Sequence, residues 1–344
     1  MTPLQTPSPK KRGRSDKARP DARQSRKRIR IGQYEIVGRL GAGGMAETFR
    51  AKARGPGGYQ REVVIKCILP HLAEDESYLR MFIDEAKILG LLNHPNIVQV
   101  YDFGEDDGRH FLALEYIAGP SVAQLLGHLE AIGGSVPAPI AAYLGREVAL
   151  ALQAVHELRG PKGDCLNVVH RDVTPSNIVV TTSGAVKLLD FGIARLGPPG
   201  TKTRSGAVKG KPAYVSPEQV LGAGAIDGRA DLFTLGVVMH EMLALTPLFW
   251  ADNDLATIYR IMELPIPSLS SLRPDVPATL DRIVARALER SPAHRYQTAR
   301  EMAADLDAFV VSSGLRREQV SGFILEMTEG LKNRAHPTAP PREA

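Results

Sequence analysis

The chain has 344 residues, of which 43% are hydrophobic, and a formal net charge of +5, values typical of a globular protein rather than a disordered one. Because it has no apolar run of about 18 residues and no apolar stretch near the N-terminus, we expect no membrane anchor, no secretory signal and a cytoplasmic location. The two cysteines, Cys67 and Cys165, fit neither a zinc site nor a disulfide framework, so both are predicted to be reduced thiols.

Residues 1–32 differ in composition from the rest of the chain. They hold 11 Lys and Arg against 2 Asp, a net charge of +9, which leaves −4 for the remainder. A segment with this charge and few large apolar residues cannot bury enough surface to fold, so we predict a disordered basic tail. Such a tail either solubilises the protein or serves as an arm for nucleic acid, an anionic membrane or an acidic protein. The mildly acidic body gives no reason to expect nucleic-acid binding.

Residues 33–118 predict a small β-sheet with one main helix. Strands are predicted where β-branched and aromatic residues cluster between glycine-rich turns, namely at YEIVGRLG, AETFRAKA, REVVIKCIL, IVQVYDFGED and HFLALEYIA. Apolar residues near helical spacing over 76–92 predict the helix.

Residues 119–312 are mainly helical by the same criterion. The predicted helical segments are 139–158, 217–222, 230–245, 253–263, 276–290 and 298–311. Short strands are predicted between them at NIVV and VKLLD. A strand-rich first part followed by a helix-rich part indicates an α+β fold with two lobes. Residues 313–344 predict one amphipathic helix, which packs on the large lobe or binds a partner, and then a flexible tail.

Four short motifs carry residues suited to phosphate chemistry. GAGGMAET lies between two predicted strands, where exposed backbone amides can cradle phosphate oxygens. Lys66 lies within an apolar strand and needs a partner for its ammonium group, either a phosphate or Glu85 in the following helix. HRDVTPSN (170–177) and LLDFG (188–192) supply the carboxylate and amide oxygens that Mg²⁺ prefers. Each motif alone is weakly specific, because glycine turns, surface lysines and capping acids are common.

Taken together and in this order, the motifs resemble those of the eukaryotic-like (Hanks-type) serine/threonine protein kinases. The resemblance extends from Tyr34 to Val311. It implies a bilobal protein-kinase-like fold, with a small β-rich N-lobe over residues 33–118 and a larger, mainly α-helical C-lobe over residues 119–312. It also implies transfer of the γ-phosphoryl group of ATP to Ser and Thr hydroxyls of proteins, with Mg²⁺ as the second cofactor.

Further motifs agree with this resemblance. LNHPNIV follows the predicted helix, and SPE (216–218) stands where the family usually has Ala-Pro-Glu. By resemblance, Asp231 anchors the catalytic loop and Arg295 pairs with Glu218. The forms GGMAE, HRDVTPSN and KGKPAYVSPEQ are similar to those of bacterial members, especially myxobacterial ones.

The resemblance assigns roles to individual residues. Asp172 aligns the acceptor hydroxyl, and Lys66 holds the α- and β-phosphates while Glu85 holds Lys66. Asn177 and Asp190 are the implied Mg²⁺ ligands. The implied nucleotide contacts are Leu40, Gly41, Ala42, Gly43, Gly44, Thr48, Val64, Lys66, Glu115, Ile117 and Val179, with Leu114 as gatekeeper at the hinge.

The sequence departs from the family pattern at several positions. Ala46 replaces the third glycine and Thr48 the usual valine, and both stay small or β-branched, so ATP binding is expected to survive. Thr174 stands where a lysine normally helps to neutralise the γ-phosphate, whereas Lys211 stands where the family usually has a threonine facing that position. We therefore predict an exchange in which Lys211 supplies the charge beside Asp172 and Thr174 the hydroxyl. In the competing interpretation, Lys211 points into solvent.

The activation loop offers hydroxyls for regulation. In kinases with an arginine before the catalytic Asp, here Arg171, a loop phosphate typically pairs with that arginine and orders the loop. Thr203 and Ser205 are the predicted autophosphorylation sites, because they precede Lys211 at the spacing of loop phosphosites in bacterial relatives, and Thr201 is a further candidate. The alternative is that all three are ordinary loop hydroxyls.

Three other functions are alternatives to that of a protein kinase. A pseudokinase scaffold is expected to lack one of Lys66, Asp172 or Asp190, and all are present. A small-molecule kinase is disfavoured by the HRD motif, the SPE block and the hydroxyl-bearing loop. A regulator that binds nucleic acid is supported by the basic tail alone. The sequence gives no signature of the substrate protein, the activating signal or the oligomeric state.

Overall fold

The fold is taken from a computed structural model, which describes residues 29–192, 212–222 and 226–335. It confirms the α+β architecture with two lobes. The strands are β1 (Arg30–Ile31), β2 (Tyr34–Ala42), β3 (Ala46–Arg54), β4 (Gln60–Ile68), β5 (Val100–Asp106), β6 (Arg109–Glu115), β7 (Ile178–Val180) and β8 (Val186–Leu188). The helices are α1 (Pro70–Ala73), α2 (Glu76–Leu91), α3 (Val122–Ile132), α4 (Ala138–His156), α5 (Pro217–Leu221), α6 (Arg229–Ala244), α7 (Asp254–Glu263), α8 (Leu269–Leu272), α9 (Ala278–Ala287), α10 (Ala299–Ser312) and α11 (Arg317–Ala335).

The small lobe is built on one antiparallel sheet with the strand order β1-β2-β3-β4-β6-β5. Successive side chains of a strand point to opposite faces. Along β4, Val63, Ile65 and Cys67 are buried in a small core on one face, whereas Val64 packs against the main core on the other. The same alternation directs Lys66 to the face of Val64, which is the face that α2 and the large lobe cover.

The sheet begins earlier than the composition indicated. Arg30 and Ile31 belong to the segment predicted as a disordered tail, yet they form β1, in which Ile31 pairs with Tyr34. Ile31 is buried in the small core. The apolar residues at the end of the basic segment therefore fold with the sheet. The rest of the predicted tail, residues 1–28, lies outside the described part of the chain.

Helix α2 packs one face against the sheet. It begins after Asp75, whose side chain accepts a hydrogen bond from the Ser77 amide and caps the helix. The buried residues Phe82, Glu85, Ala86 and Leu89 recur at spacings of three and four, which places them on one stripe of the helix. Glu85 is the charged member of this stripe, so the amphipathic pattern itself turns its carboxylate toward β4.

The large lobe is arranged around α6, which is buried over nearly its whole length. Helices α4, α9 and α10 pack around it, and the hairpin of β7 and β8 lies against α4. Helix α3 was not predicted from the sequence. Its start is marked by a capping box of Ser121 and Gln124, and its end by Gly133 in a left-handed conformation with φ 64°.

The last helix, α11, packs against the large lobe. Val320, Ile324 and Met327 are buried on one side of it, and its main contact is with α3. At Gly330 the α11 backbone passes so close to the His128 ring of α3 that a Cβ there would lie 2.4 Å from Nε2. Of the two alternatives for this segment, packing on the large lobe is the one observed. No helix in the described ranges is both long enough and apolar enough to span a membrane.

Candidate active site

The cleft between the lobes brings together three charged groups. Nζ of Lys66 lies 2.8 Å from Oε1 of Glu85 and 2.9 Å from Oδ1 of Asp190. The three residues come from β4, α2 and the segment after β8, so the cluster exists only when both lobes are in place. The pairing of Lys66 with Glu85 expected from the sequence is thus present, and a solvent-facing Lys66 is excluded.

The charge state of Lys66 follows from its surroundings. Burial alone lowers the pKa of this ammonium group, but the carboxylates of Asp190 and Glu85 outweigh burial and raise the pKa above its ordinary value. Burial in turn raises the pKa of Glu85, and Lys66 opposes that rise. Lys66 is therefore a fixed positive charge at neutral pH, with its ammonium held between the carboxylates of Glu85 and Asp190.

The HRDVTPSN stretch forms a compact loop on the large lobe. Nδ2 of Asn177 donates to the backbone oxygen of Asp172 at 2.9 Å and to its Oδ2 at 2.8 Å. A 3₁₀ turn from Pro175 to Asn177 brings the two side chains together. The amide of Leu189 donates to the backbone oxygen of Asn177 at 2.8 Å, which places Asn177 beside the residue that precedes Asp190. Three predicted site residues therefore converge here.

A buried carboxylate fixes the backbone of this loop. Asp231, in the first turn of α6, is fully buried, and its oxygens accept from the amides of His170 at 2.8 Å and Arg171 at 2.7 Å. Its Oδ2 also lies 2.8 Å from Nε2 of His156. Arg171 has a φ of 65°, which is rare for a side-chain-bearing residue and needs such support. The predicted anchoring role of Asp231 matches this geometry, whereas the contribution of His156 was not predicted.

The Asp190–Phe191–Gly192 segment is held from the same side. Phe191 is buried, with its ring 4.6 Å from the His170 ring, and the Gly192 amide donates to the His170 carbonyl at 2.8 Å. A Cβ at Gly192 would lie 3.0 Å from Cβ of Asp172, so only glycine fits there without displacement. Asp190 itself has a φ of 38°. These contacts hold its carboxylate toward Lys66.

The glycine-rich stretch joins β2 and β3 above the cleft. In the sheet register, Gly41 lies opposite Thr48, and Thr48 lies opposite Lys66 on β4. Oγ1 of Thr48 donates to the Gly41 carbonyl at 3.3 Å, and the Gly43 amide donates to the Ala46 carbonyl at 2.8 Å. Of the predicted nucleotide contacts of this stretch, Thr48 is the register neighbour of Lys66, whereas Leu40, Gly41, Ala42, Gly43 and Gly44 lie on β2 and the turn that follows it.

The predicted adenine contacts lie around the connection between the lobes. Val64 and Leu114 are register partners on β4 and β6, and Glu115 ends β6. Val179 lies on β7 of the large lobe, where it pairs with Lys187. Nζ of Lys187 is 2.8 Å from Oε2 of Glu115, so β7 and β8 lie directly beside the end of β6. Ile117, on the connecting segment, is half-buried and packs against the main core.

The SPE element is tied to the large lobe by a buried ion pair. Arg295 is fully buried, and its two terminal nitrogens donate to the two carboxylate oxygens of Glu218 at 2.7 and 2.8 Å. Arg295 also donates to the backbone oxygens of Arg229, Glu289 and Arg290. The predicted partnership of Arg295 with Glu218 is therefore present in a bidentate form, which is the stronger form of such a contact.

Comparison with known proteins agrees with this arrangement. The sequence profile described as "Protein kinase domain" matches residues 34–305. The chain belongs to the protein kinase family. Among curated relatives of this kinase, the "Tyrosine-protein kinase MasK" of Myxococcus xanthus is 40% identical over 81% of the chain and 43% of the relative. The "Serine/threonine-protein kinase PknB" of Mycobacterium leprae is 36% identical over 80% of the chain and 42% of the relative.

Solved structures and the other relatives place the kinase in the same group. The "Serine/threonine-protein kinase PrkC" of Bacillus subtilis is 32% identical over 80% of the chain and 40% of the relative. The PknI kinase domain of Mycobacterium tuberculosis has 30% identity and a TM-score of 0.63, over 83% of this chain and 98% of that chain. The chain thus spans about two fifths of the length of the curated relatives it matches. The predicted likeness to bacterial Hanks-type kinases, with a myxobacterial relative among them, is confirmed.

Of the remaining predicted site residues, one lies within the described ranges and the others lie outside them. Thr174 is buried in the HRDVTPSN stretch, two residues after Asp172, and its carbonyl accepts from the Asn177 amide at 2.9 Å. Lys211 and the predicted phosphosites Thr201, Thr203 and Ser205 lie outside the described residues. The two cysteines are free, and burial raises the pKa of Cys67 to about 11, which makes it an unreactive thiol.

Proposed function

We propose that this chain is an ATP-dependent protein serine/threonine kinase that transfers the γ-phosphoryl group of ATP to hydroxyls of protein substrates. The observation that carries the proposal is the convergence of Lys66, Glu85 and Asp190 within hydrogen-bonding distance, beside a loop in which Asn177 holds Asp172. Phosphoryl transfer needs little covalent chemistry from a protein and depends on positioning and on charge neutralisation. The family uses ATP and typically Mg²⁺, and the site supplies groups for both.

The glycine-rich stretch supports phosphate binding by elimination. A Cβ added at Gly41 or Gly43 would meet only ordinary contacts, at 3.6 and 3.7 Å, and one at Gly44 would meet nothing within 4 Å. None of the three has a positive φ. Neither crowding nor backbone conformation therefore requires glycine there. Three glycines in this stretch leave room for backbone amides to approach phosphate oxygens closely, which supports the proposed phosphate binding.

The donor set at the large lobe fits Mg²⁺. In the described ranges, no group of three or more His, Cys, Asp and Glu side chains could hold a metal by itself. Mg²⁺ in kinases is bound by one or two protein groups together with substrate phosphates, so a full protein cage is not needed. Asn177 uses its amide nitrogen on Asp172, which leaves its carbonyl oxygen available, and Asp190 follows Leu189, whose amide donates to the Asn177 backbone. Mg²⁺, when bound, would neutralise phosphate charge.

Asp172 is the group proposed to orient the acceptor hydroxyl. Its Oδ2 is held by Asn177 at 2.8 Å, and its amide donates to Nδ1 of His170 at 3.3 Å. With the carboxylate fixed, a hydroxyl donated to it is aimed at the γ-phosphoryl group, and the carboxylate accepts the proton as the transfer proceeds. Lys66 holds the other end of the nucleotide phosphates, so the two lobes set donor and acceptor in line.

The acceptor class has a second candidate. PknB and PrkC are named serine/threonine kinases, whereas MasK is named a tyrosine-protein kinase at 40% identity. In addition, Thr174 stands where serine/threonine kinases usually have lysine. We propose Ser and Thr as acceptors, with autophosphorylation at Thr203 or Ser205 and Thr201 as a further site. Phosphoamino-acid analysis separates the two classes, because phosphotyrosine as the main product would refute the Ser/Thr assignment.

The central experiment is phosphoryl transfer by the purified chain. Wild type is incubated with Mg²⁺ and γ-labelled ATP, with myelin basic protein as a general acceptor, beside Asp172→Asn and a matched control, Asp84→Asn. Asp84 is exposed on α2 and pairs only with Lys87 in the described part of the chain. We expect Asp172→Asn to reduce transfer by about 10²–10⁴-fold and the control to leave it unchanged. Wild type that binds ATP yet transfers nothing would favour the scaffold alternative.

Nucleic-acid binding by the basic tail is tested by a truncation that leaves the β-sheet intact. Removal of residues 1–28 retains β1, whereas removal of residues 1–32 would delete Ile31 from the small core. Binding of a DNA duplex is measured for both chains over a salt series. A tail that binds nucleic acid loses a salt-dependent affinity on truncation while kinase activity is retained. If the full-length and truncated chains bind the DNA duplex equally weakly, the tail is a solubilising segment instead.

A further inference from the structure

An ion pair joins the lobes behind the predicted adenine contacts. Nζ of Lys187, on β8 of the large lobe, donates to Oε2 of Glu115 at 2.8 Å and to the Ile97 carbonyl at 3.3 Å. Both charged side chains are largely buried, with 13% of Lys187 and 25% of Glu115 exposed. No motif in the sequence points to Lys187, and the proposed phosphoryl transfer does not use it.

Glu115 is fixed by more than this ion pair. Its amide donates to the Gln99 carbonyl at 2.9 Å, and its Oε2 accepts from the Gln99 amide at 3.4 Å. Along β6, Leu114 faces the main core, whereas Ala113 faces the small core. Because side chains alternate, Glu115 points to the same side as Ala113, away from the nucleotide face. Its side chain can therefore set the position of its own backbone without contacting the nucleotide.

The partner strand is equally well anchored. The Leu188 amide donates to the Asn96 carbonyl at 2.8 Å, and the Val98 amide donates to the Leu188 carbonyl at 3.1 Å. Nδ2 of Asn96 donates to the Val186 carbonyl at 3.0 Å and to Oε2 of Glu147 on α4 at 2.8 Å. Lys187 thus projects from a strand whose neighbouring residues on both sides are bonded to the segment that follows α2. The backbone at Lys187 is therefore fixed, and the ion pair of Lys187 with Glu115 forms a tether between the two lobes.

We propose that Lys187 and Glu115 are positioning residues for adenine, which hold the last residue of β6 so that its carbonyl and the Ile117 amide meet the adenine edge. The inference deepens the proposed function and rests on it. Neither side chain touches the nucleotide in this scheme. Loss of the tether lets the end of β6 shift relative to Val179, which pairs with Lys187 on the large lobe. Adenine binding weakens, while phosphate binding at Lys66 is unaffected.

The test separates adenine binding from phosphate binding. Lys187→Met and Glu115→Gln are compared with wild type, with the charge-swapped double variant Lys187→Glu/Glu115→Lys, and with the control Lys87→Met on the exposed face of α2. For each chain, the affinities for adenosine and for inorganic tripolyphosphate are measured, together with kcat and the KM for ATP. Urea unfolding of each variant confirms that it is folded.

We expect each single variant to bind adenosine about three- to thirty-fold more weakly and to raise the KM for ATP by a similar factor, because a charge-assisted hydrogen bond is lost. Tripolyphosphate affinity and kcat should stay near wild type, and the charge swap should restore adenosine binding. Unchanged adenosine binding in both single variants overturns the inference, as does a parallel loss of adenosine and tripolyphosphate affinity. If the variants weaken adenosine binding as expected but wild type shows no transferase activity, the proposed function is refuted and the inference about Lys187 and Glu115 stands.

Discussion

Replacement of Asp231 tests the claim that one buried carboxylate holds the catalytic loop. Asp231→Ala leaves the amides of His170 and Arg171 without their acceptor; the bond to His170 is buried and the bond to Arg171 is half-buried. A buried donor that loses its partner costs about 1–3 kcal/mol and a half-buried one less, so the two together predict a loss of about 2–4 kcal/mol. Asp231→Asn keeps the shape and one acceptor oxygen, so it should lose about half of that.

The measurement is urea unfolding followed by circular dichroism, with Asp252→Asn as an exposed control. Because domains are stable by only about 5–15 kcal/mol, the loss in Asp231→Ala is a large fraction of the total. In Asp231→Asn, kcat should fall more than ADP affinity, since Lys66 and Glu85 are placed by β4 and α2 of the small lobe rather than by α6. An Asp231→Ala chain that unfolds within about 0.5 kcal/mol of wild type would refute the anchoring argument.

The same residue predicts a dependence on pH. Burial raises the pKa of Asp231, but the contacts with His156 and the Arg171 amide outweigh burial and lower the pKa below its usual value. A carboxyl whose folded pKa lies below the unfolded value of about 3.9 stabilises the protein above that pH, and the contribution is lost as the pH falls through the folded pKa. The stability difference between wild type and Asp231→Asn should therefore be full at pH 7 and shrink below about pH 4. A constant difference down to pH 2 would contradict this assignment.

Three further predictions concern other parts of the chain. Arg295→Met should lose about 3–5 kcal/mol of unfolding free energy, because it strands the carboxylate partner in a mostly buried position; an unchanged urea midpoint would contradict this. Ile324→Ala should lose about 2–4 kcal/mol, whereas Leu325→Ala, at a side chain 48% exposed, should lose under about 0.5 kcal/mol, and equal losses would contradict the packing of α11. Thr174→Lys and Lys211→Thr, made singly and together, should show coupled effects on kcat, and purely additive effects would exclude the proposed exchange.

The parts of the site that the sequence predicted are those that local periodicity determines. Alternation along β4 places Lys66 on the face opposite Ile65, and the helical stripe of α2 places Glu85 toward it. Both facts can be read from stretches of fewer than twenty residues. The order of the motifs then supplied the partners on the large lobe, because a family resemblance fixes long-range neighbours that periodicity cannot.

The parts that were missed depend on contacts between distant residues. His156 and Asp231 are 75 positions apart, and Lys187 and Glu115 are 72 apart, so no local pattern links them. Helix α3 was missed for a different reason, because it is short and follows directly on the connection between the lobes. Its capping box at Ser121 was nevertheless visible in the sequence as a Ser followed three residues later by a Gln.

The buried charges of the described residues all hold elements of the proposed active site. Among the Asp, Glu, Lys and Arg side chains that the structure describes, the buried ones are Glu85, Asp231 and Arg295. Burial of a charge is costly even when it is paired, and an apolar replacement of both partners is often neutral or stabilising. A fold selected for stability alone has little reason to keep three such groups. Each one instead holds a different component of the proposed site, respectively Lys66, the loop that carries Asp172, and the SPE element. We infer that these buried charges fix geometry rather than add stability.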